Sequence, residues 1–426
     1  MKKLIILFLI ILPAGLVAQV WTQTAPLSSP TDYIYSMADD GNGNVVASSW
    51  AVGIYKTTNN GVNWNTTSYM VSTPRVYKLI CAPNGIFYAL ANSTSSIRLY
   101  RSTDSGDNWT EVYNESRPNN FALGGDIVFI DSMNYLAGMS FTIGPTIGDI
   151  AARIVRSTDG GATWNIVTLL GAGFLNAMVL ADDGRIYGGT SLGGVIVSTN
   201  NGVNWSITSF TPYVADMDKN SEGVLYIGTS NASGNSVWKS TDNGSSWIPL
   251  GVGESTVEDL HIDNEDNIYV SNSGNLYRST NGGNNWSLFE TGIPSGQTVY
   301  SITGSESNFV FAGTGSSGVY RNGTATSVIQ TNSIASKFKL EQNYPNPFNP
   351  VTNIEFSIPE RGHITLEVFD IYGRRVSTLV NGDMNVGNYK TLFNAESQSS
   401  GTYFYRLDFN GENNTFTETK KMIVIK

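Results

Sequence analysis

Short apolar runs alternate with clusters of Gly, Asn, Ser and Thr along most of the chain, the pattern of many short strands joined by turns. The expected fold class is all-β. A second regularity sits on top of this one. Seven times, an apolar strand position is followed nine residues later by its partner across a turn: Met37/Val46, Leu79/Tyr88, Ile127/Leu136, Met178/Tyr187, Met217/Tyr226, Leu260/Tyr269 and Ile302/Phe311. Each such hairpin opens a repeating unit, and repeats of this length mean an array of similar supersecondary structures.

Six of the units carry the same octet, S/T-x-D/N-x-G-x-x-W. Its acidic or amide residue and its tryptophan are Asn59 and Trp64, Asp104 and Trp109, Asp159 and Trp164, Asn200 and Trp205, Asp242 and Trp247, and Asn281 and Trp286. Successive tryptophans lie 45, 55, 41, 42 and 39 residues apart, enough for about four short strands per unit, as in a propeller blade. The octet has the chemistry of a turn: Asp or Asn bonds its own backbone, Gly takes a positive φ, and Trp begins the next strand. These octets resemble the Asp-box of sialidase-like β-propellers. The resemblance implies a structural role at the periphery of each blade.

Seven hairpins against six octets leave one unit incomplete. The seventh runs through Gly318-Val319-Tyr320-Arg321 and then lacks its tryptophan, whereas Trp21 stands 43 residues before Trp64 with no complete unit to belong to. The strand at 20–25 is therefore expected to close the seventh unit, giving a seven-bladed Asp-box propeller over 19–322.

The chain outside the propeller reads differently. Lys2 and Lys3 precede an apolar run from Leu4 to Leu12 that is too short to span a bilayer, so residues 1–18 are expected to be a signal peptide. Residues 323–336 are small and polar and read as a linker. Beyond them come alternating strands and four ordered blocks: Y-P-N-P-F-N-P (344–350), V-F-D-I-Y-G-R-R-V (368–376), S-G-T-Y-F-Y-R-L (400–407) and the terminal K-K-M-I-V-I-K. These blocks closely resemble the C-terminal sorting domain of type IX secretion substrates. The resemblance implies that 337–426 is a small antiparallel β-sandwich recognised by that secretion machinery, and that the protein ends in the medium or on the outer-membrane surface.

Composition narrows the partners. The expected propeller carries the acidity: 19–336 holds 13 basic and 25 acidic residues, 337–426 holds ten of each, and Lys2 and Lys3 bring the formal net charge to −10. That sign argues against nucleic acid. One cysteine excludes an intrachain disulfide, and two histidines exclude the common structural zinc sites. Asp39-Asp40-Gly41-Asn42-Gly43-Asn44 superficially looks like a calcium loop but falls on a hairpin turn common to all seven units. No metal and no cofactor are expected, no transmembrane span in the mature chain, and a monomer.

Two sets of residues carry candidate chemistry. The first is the layer just before each hairpin's first apolar position: Ser36, Lys78, Asp126, Ala177, Asp216, Asp259 and Ser301. On innermost strands these would meet near a central channel. Lys78, Asp126, Asp216 and Asp259 would then share a site, where like charges raise one pKa as acid–base catalysis requires. The alternative is a polar-lined, water-filled channel. The second set is Trp50, Arg75, Arg117, Phe141, Arg153 and Tyr213, on loops expected at the face opposite the octets. The longest of these, from Met139 to Arg153, carries Phe141 and Arg153. The favoured function is a non-catalytic glycan- or protein-binding module. The alternatives are a glycoside hydrolase on a sialidase-like or xyloglucanase-like scaffold, and an assembly platform.

Overall fold

A computed structural model describes residues 20–425 except 28, 30–32, 42, 70–74, 94, 117–123, 143–149, 172, 231–235, 253–254, 306–308, 323–328, 332–336, 350, 385, 396–397 and 412–413. The expected signal peptide, 1–18, lies outside the described residues. Those described form strands and turns and contain no helix, so the chain is all-β. They build nine four-stranded sheets.

Seven of the sheets are antiparallel meanders. In the first, Ile34–Asp39, Val45–Ser49, Gly53–Thr57 and Asn65–Thr66 pair in chain order. The next five repeat this plan, with first strands Arg75–Cys81, Gly125–Phe129, Leu175–Leu180, Val214–Lys219 and Val257–Ile262. The last holds Val299–Ser305, Phe309–Thr314 and Val319–Asn322, and its fourth strand is Thr22–Gln23 from the other end of the chain, with Thr22 opposite Arg321 and Gln23 opposite Tyr320. Beside that strand Trp21 is buried, and its indole N–H donates to the Phe289 carbonyl at 2.6 Å. Each first strand packs beside the first strand of the next sheet, and Val299–Ser305 packs beside Ile34–Asp39, so the series closes on itself.

This arrangement follows from the residue pattern. Second strands such as Val45–Ser49 and Phe309–Thr314 are buried on both faces because a neighbouring sheet covers each face, which is why they read as near-continuous runs of apolar and small residues. Fourth strands such as Ser206–Ile207 lie outermost and are exposed. The apolar clusters lie between sheets: Leu136 and Ile154 of the third pack against Met178, Ile186 and Ile196 of the fourth.

The octet turns are built alike. In Ser198–Trp205 the serine hydroxyl donates to Asn200 Oδ1 at 3.1 Å and accepts the Gly202 N–H at 2.9 Å, while Asn200 Oδ1 accepts the Asn204 N–H at 2.8 Å. The same three bonds recur at Ser102–Trp109 and Ser240–Trp247. Two successive residues take a left-handed conformation, Asn201 at φ 54° and Gly202 at φ 79°. A Cβ on Gly202 would stand 2.3 Å from Leu136 Cδ1, so glycine here also permits contact with the preceding sheet. Other octets are clasped from the sheet before them, as where the Tyr88 hydroxyl donates to the Gly160 carbonyl at 2.9 Å.

The two remaining sheets belong to the C-terminal module. One is ordered Ile329–Thr331, Gly387–Asn394, Val351–Ile358, Lys339–Leu340; the other Arg375–Met384, Gly362–Phe369, Gly401–Gly411, Thr415–Val424. They share one apolar core, including Phe348, Ile354 and Phe356 with Leu366, Tyr405, Leu407 and Met422, and it draws on no residue of the seven meanders. Ile329–Thr331, within the stretch expected as a linker, pairs with Gly387–Asn394.

Candidate functional site

The first strands surround an axial cavity of about 710 Å³. What lines it is decided by a repeated irregularity. On six of the seven strands the pairing with the second strand shifts, between Ile34 and Ser36, Val76 and Lys78, Leu175 and Ala177, Val214 and Asp216, Val257 and Asp259, and Val299 and Ser301. A β-bulge leaves one residue outside the ladder and re-aims its side chain. The bulged residues are Tyr35, Tyr77, Asn176, Ala215, Glu258 and Tyr300, and all line the cavity. So do Ser36, Lys78, Asp126, Asp216, Asp259 and Ser301 below them, and Asp218, His261 and Thr303 two residues further along.

The expected layer is brought together, and its polar atoms hold the sheets to one another. The Ser301 hydroxyl accepts the Met37 N–H and the Ser36 hydroxyl accepts the Leu79 N–H, each at 2.9 Å. Asp126 Oδ2 accepts the Met178 N–H at 2.8 Å, Asp216 Oδ2 the Leu260 N–H at 3.0 Å, and Asp259 Oδ2 the Ile302 N–H at 2.7 Å. Each bond runs from one sheet to the next. Lys78 and Ala177 have no acceptor to offer. The sheets after them supply their own: Asp126 Oδ1 takes the Ile127 N–H at 2.9 Å and Asp216 Oδ1 takes the Met217 N–H at 2.8 Å. Asp218 repeats the device one tier down, accepting the Lys219 N–H at 2.7 Å and the Ile262 N–H at 2.8 Å.

Burial sets the electrostatics. It raises Asp126 to about 6, opposed chiefly by Lys78, and Asp218 to about 7, opposed by its two N–H donors. Asp259 is raised well above the ordinary carboxylate range by burial and by Asp216 beside it. Burial works against charge on Lys78, but Asp216, Asp126, Asp259 and Asp218 outweigh it, so Lys78 stays protonated. Burial lowers His261 to about 4, leaving a neutral imidazole whose buried Nε2 has no hydrogen-bond partner among the described residues. The same holds for the buried Tyr77 hydroxyl.

Aromatic rings crowd the cavity's mouth. Tyr35 lies 5.5 Å from Trp50 and 5.9 Å from Tyr300, and Tyr33 stacks on Tyr35 at 6.0 Å between ring centroids. Arg75 places its guanidinium 3.1 Å from the Trp50 ring centroid and has no carboxylate partner among the described residues. Tyr213 borders the same opening. Trp50, Tyr33 and Tyr213 are exposed.

Two of the loop candidates, Phe141 and Arg153, fall elsewhere. Phe141 is wholly buried: the strand Tyr135–Thr142 runs through it, so its ring joins the core with Leu99 and Val155 instead of facing solvent. Arg153 also belongs to a strand, Ile150–Ser157, and is held by Glu115 through two bonds of 2.9 and 3.1 Å. These two are packing and tethering residues, not part of the mouth. Arg117 lies outside the described residues. Sequence reasoning missed Tyr35, Tyr300, Glu258, Asp218 and His261. An apolar residue two places before six of the seven layer positions, with Gly124 before the unbulged Asp126, was the available signal for the bulges.

The fold is that of a β-propeller. It resembles streptogramin B lyase, at TM-score 0.57 and 16% identity over 72% of this chain and 97% of that one. It also resembles YCF48 bound to D1 peptide, at TM-score 0.52 and 17% identity over 72% of this chain and 96% of that one. Over 154 residues the chain is 30% identical to a xyloglucanase of Paenibacillus sp., a match that takes 32% of this chain and spans 15% of the relative's length. Residues 342–426 match the secretion system C-terminal sorting domain. The chain is thus a propeller carrying a type IX sorting domain, which directs it to the cell surface or the extracellular space.

Proposed function

We propose that the chain is a seven-bladed Asp-box propeller that binds a segment of another protein at the mouth of its central channel, without catalysing a reaction on it. The closed series of seven meanders and the six like octets support the architecture. The binding reading rests on one observation, the cluster of Trp50, Tyr35, Tyr33 and Tyr300 with the guanidinium of Arg75, which has no carboxylate partner among the described residues, lying on Trp50. Tyr, Trp and Arg dominate the energetics of protein interfaces, because large rigid rings bury much area at little entropic cost. The layer carboxylates speak against catalysis, since Asp126 and Asp216 spend both oxygens on backbone N–H groups and would have to loosen the ring to react. The structural neighbour YCF48 is described with a bound peptide, a likeness of fold only.

The test is a peptide array probed with the secreted chain. Trp50→Ala and Arg75→Ala should each abolish capture without changing the melting temperature. Capture that survives both variants puts the interface elsewhere. A glycan is the second reading, favoured by the partial match to a xyloglucanase. Xyloglucan oligosaccharides titrated against the same variants, followed by a reducing-sugar assay, would show binding or cleavage if that reading holds.

A further inference from the structure

We infer that the channel takes an organic ammonium group, such as a lysine side chain of the bound partner, held between the aromatic mouth and the carboxylates beneath it. The inference rests on the binding role assigned above and adds the chemistry of the ligand.

Charge decides the sign. Six carboxyl groups line the cavity, Asp39, Asp126, Asp216, Asp218, Glu258 and Asp259, against two cations, Lys78 and Arg75. The groups are also unevenly placed. Tyr300, Tyr35, Tyr77 and Trp50 come from the seventh, first and second sheets, whereas Asp216, Asp218, Glu258 and Asp259 come from the fifth and sixth. The rings at the mouth thus stand mostly over one side of the channel, and the carboxylates of the fifth and sixth sheets, Glu258 at the level of the rings and the others beneath, stand on the other, the pairing that recognises organic cations through ring faces and counter-charge together.

Glu258 stands where the two sides meet. It adjoins Tyr300, whose phenol feels its charge, and among the described residues it has no ion-pair partner. Unlike Asp126 and Asp216, it is not committed to a bond between sheets. Two lining residues carry a buried polar atom without a hydrogen-bond partner among the described residues, the Tyr77 hydroxyl in the tier of Glu258 and His261 Nε2 below it. The neutral imidazole offers a lone pair where an imidazolium would repel. Nothing in the layer needs a metal ion, since among the described residues no three His, Cys, Asp or Glu side chains are placed to ligate one. Lys78 and Arg75 oppose an incoming cation. Lys78 is already surrounded by Asp126, Asp216, Asp218 and Asp259, and Arg75 is drawn aside onto Trp50.

Calorimetric titration of the full secreted chain tests this with matched probes. Hexylamine is compared with hexan-1-ol, and the peptide Ac-Gly-Lys-Gly-NH2 with its norleucine counterpart. The amine and the lysine peptide should each bind at least tenfold more tightly than the neutral match. Binding near pH 6.5 should release protons, seen as a dependence of the heat on the buffer's ionisation enthalpy, because a cation favours the ionised forms of Asp126 and Asp218. Glu258→Gln should weaken both by at least tenfold, and Tyr77→Phe, which keeps the ring and its packing, should weaken them to a lesser degree. Equal binding of the lysine and norleucine peptides overturns the inference and leaves protein binding intact. Amine binding that Glu258→Gln leaves unchanged also overturns it. Binding of hexylamine but of neither peptide upholds the ammonium site and identifies its ligand as a free amine, which defeats the protein-binding reading instead.

Discussion

Asp126→Ala is the most informative perturbation of the ring. The side chain is 8% exposed and its two oxygens accept the N–H groups of Ile127 and Met178, at 2.9 and 2.8 Å. Alanine leaves both donors buried without partners. An unsatisfied buried donor costs about 1–3 kcal/mol, so the loss at pH 8 is about 2–6 kcal/mol. Proton linkage adds a pH dependence of definite sign. Folding raises the carboxyl from 3.8 to about 6, so the folded chain holds its proton more tightly than the unfolded chain. The stability from that difference is complete below the unfolded value and is lost as pH rises through about 6. At pH 5, one pH unit below the folded value, it is on the order of 1 kcal/mol, and by pH 8 it is gone. Alanine cannot gain it. The variant should therefore fall further below the parent at pH 5 than at pH 8, by on the order of 1 kcal/mol. Urea unfolding followed by tryptophan fluorescence at the two pH values measures both quantities. A destabilisation under 1 kcal/mol at both, or a gap that widens with rising pH, would refute the assignment of Asp126 as a tie between sheets.

Other outcomes follow from features already described. Ser301→Ala removes the acceptor of the Met37 N–H and should cost about 1–3 kcal/mol in the same unfolding assay, while Ser301→Thr, which keeps the hydroxyl, should cost less. Trp164→Ala should destabilise by about 3–5 kcal/mol, because its ring is buried and its indole N–H donates to Gly161; a value near zero would place that octet outside the packed structure. Gly202→Ala should cost about 1–3 kcal/mol from the left-handed backbone and the close approach of Leu136, readable as a lower urea midpoint. Removing residues 323–426 should leave a folded propeller that stays in the periplasm, tracked by fractionation and immunoblot, since the two modules have separate cores.

Much of this organisation was legible because it repeats. A period read from the tryptophans needs no energy calculation, and the register of Ser36, Lys78, Asp126, Ala177, Asp216, Asp259 and Ser301 follows from aligning seven hairpins. The occupants of the cavity mouth were not legible. In a regular strand Tyr35 and Ser36 would face opposite ways. The bulge after Ile34 brings both to the cavity, and period-two reasoning does not foresee it. The role of the carboxylates escaped for a different reason. Position in a layer says that Asp126 and Asp216 come together, but which way their oxygens turn depends on the neighbouring backbone donors. Lys78 and Ala177 leave such donors unmet, and the aspartates that follow them answer. Phe141 escapes because the long segment between the second and third strands of the third unit reads as loop, whereas strand pairing continues to Thr142 opposite Ile150.

The pairing of Thr22 and Gln23 with Arg321 and Tyr320 has a consequence for the order of events in the life of the chain. The first of the described strands waits for the last of the propeller before it has a partner. Until the two meet, the closing sheet lacks its outer strand and presents a bare edge, the kind of surface that recruits other chains. The sorting signal begins after that last strand. A polypeptide truncated before Val319–Asn322 therefore lacks both its seal and its address, so a fragment able to aggregate in this way carries no instruction to leave the cell.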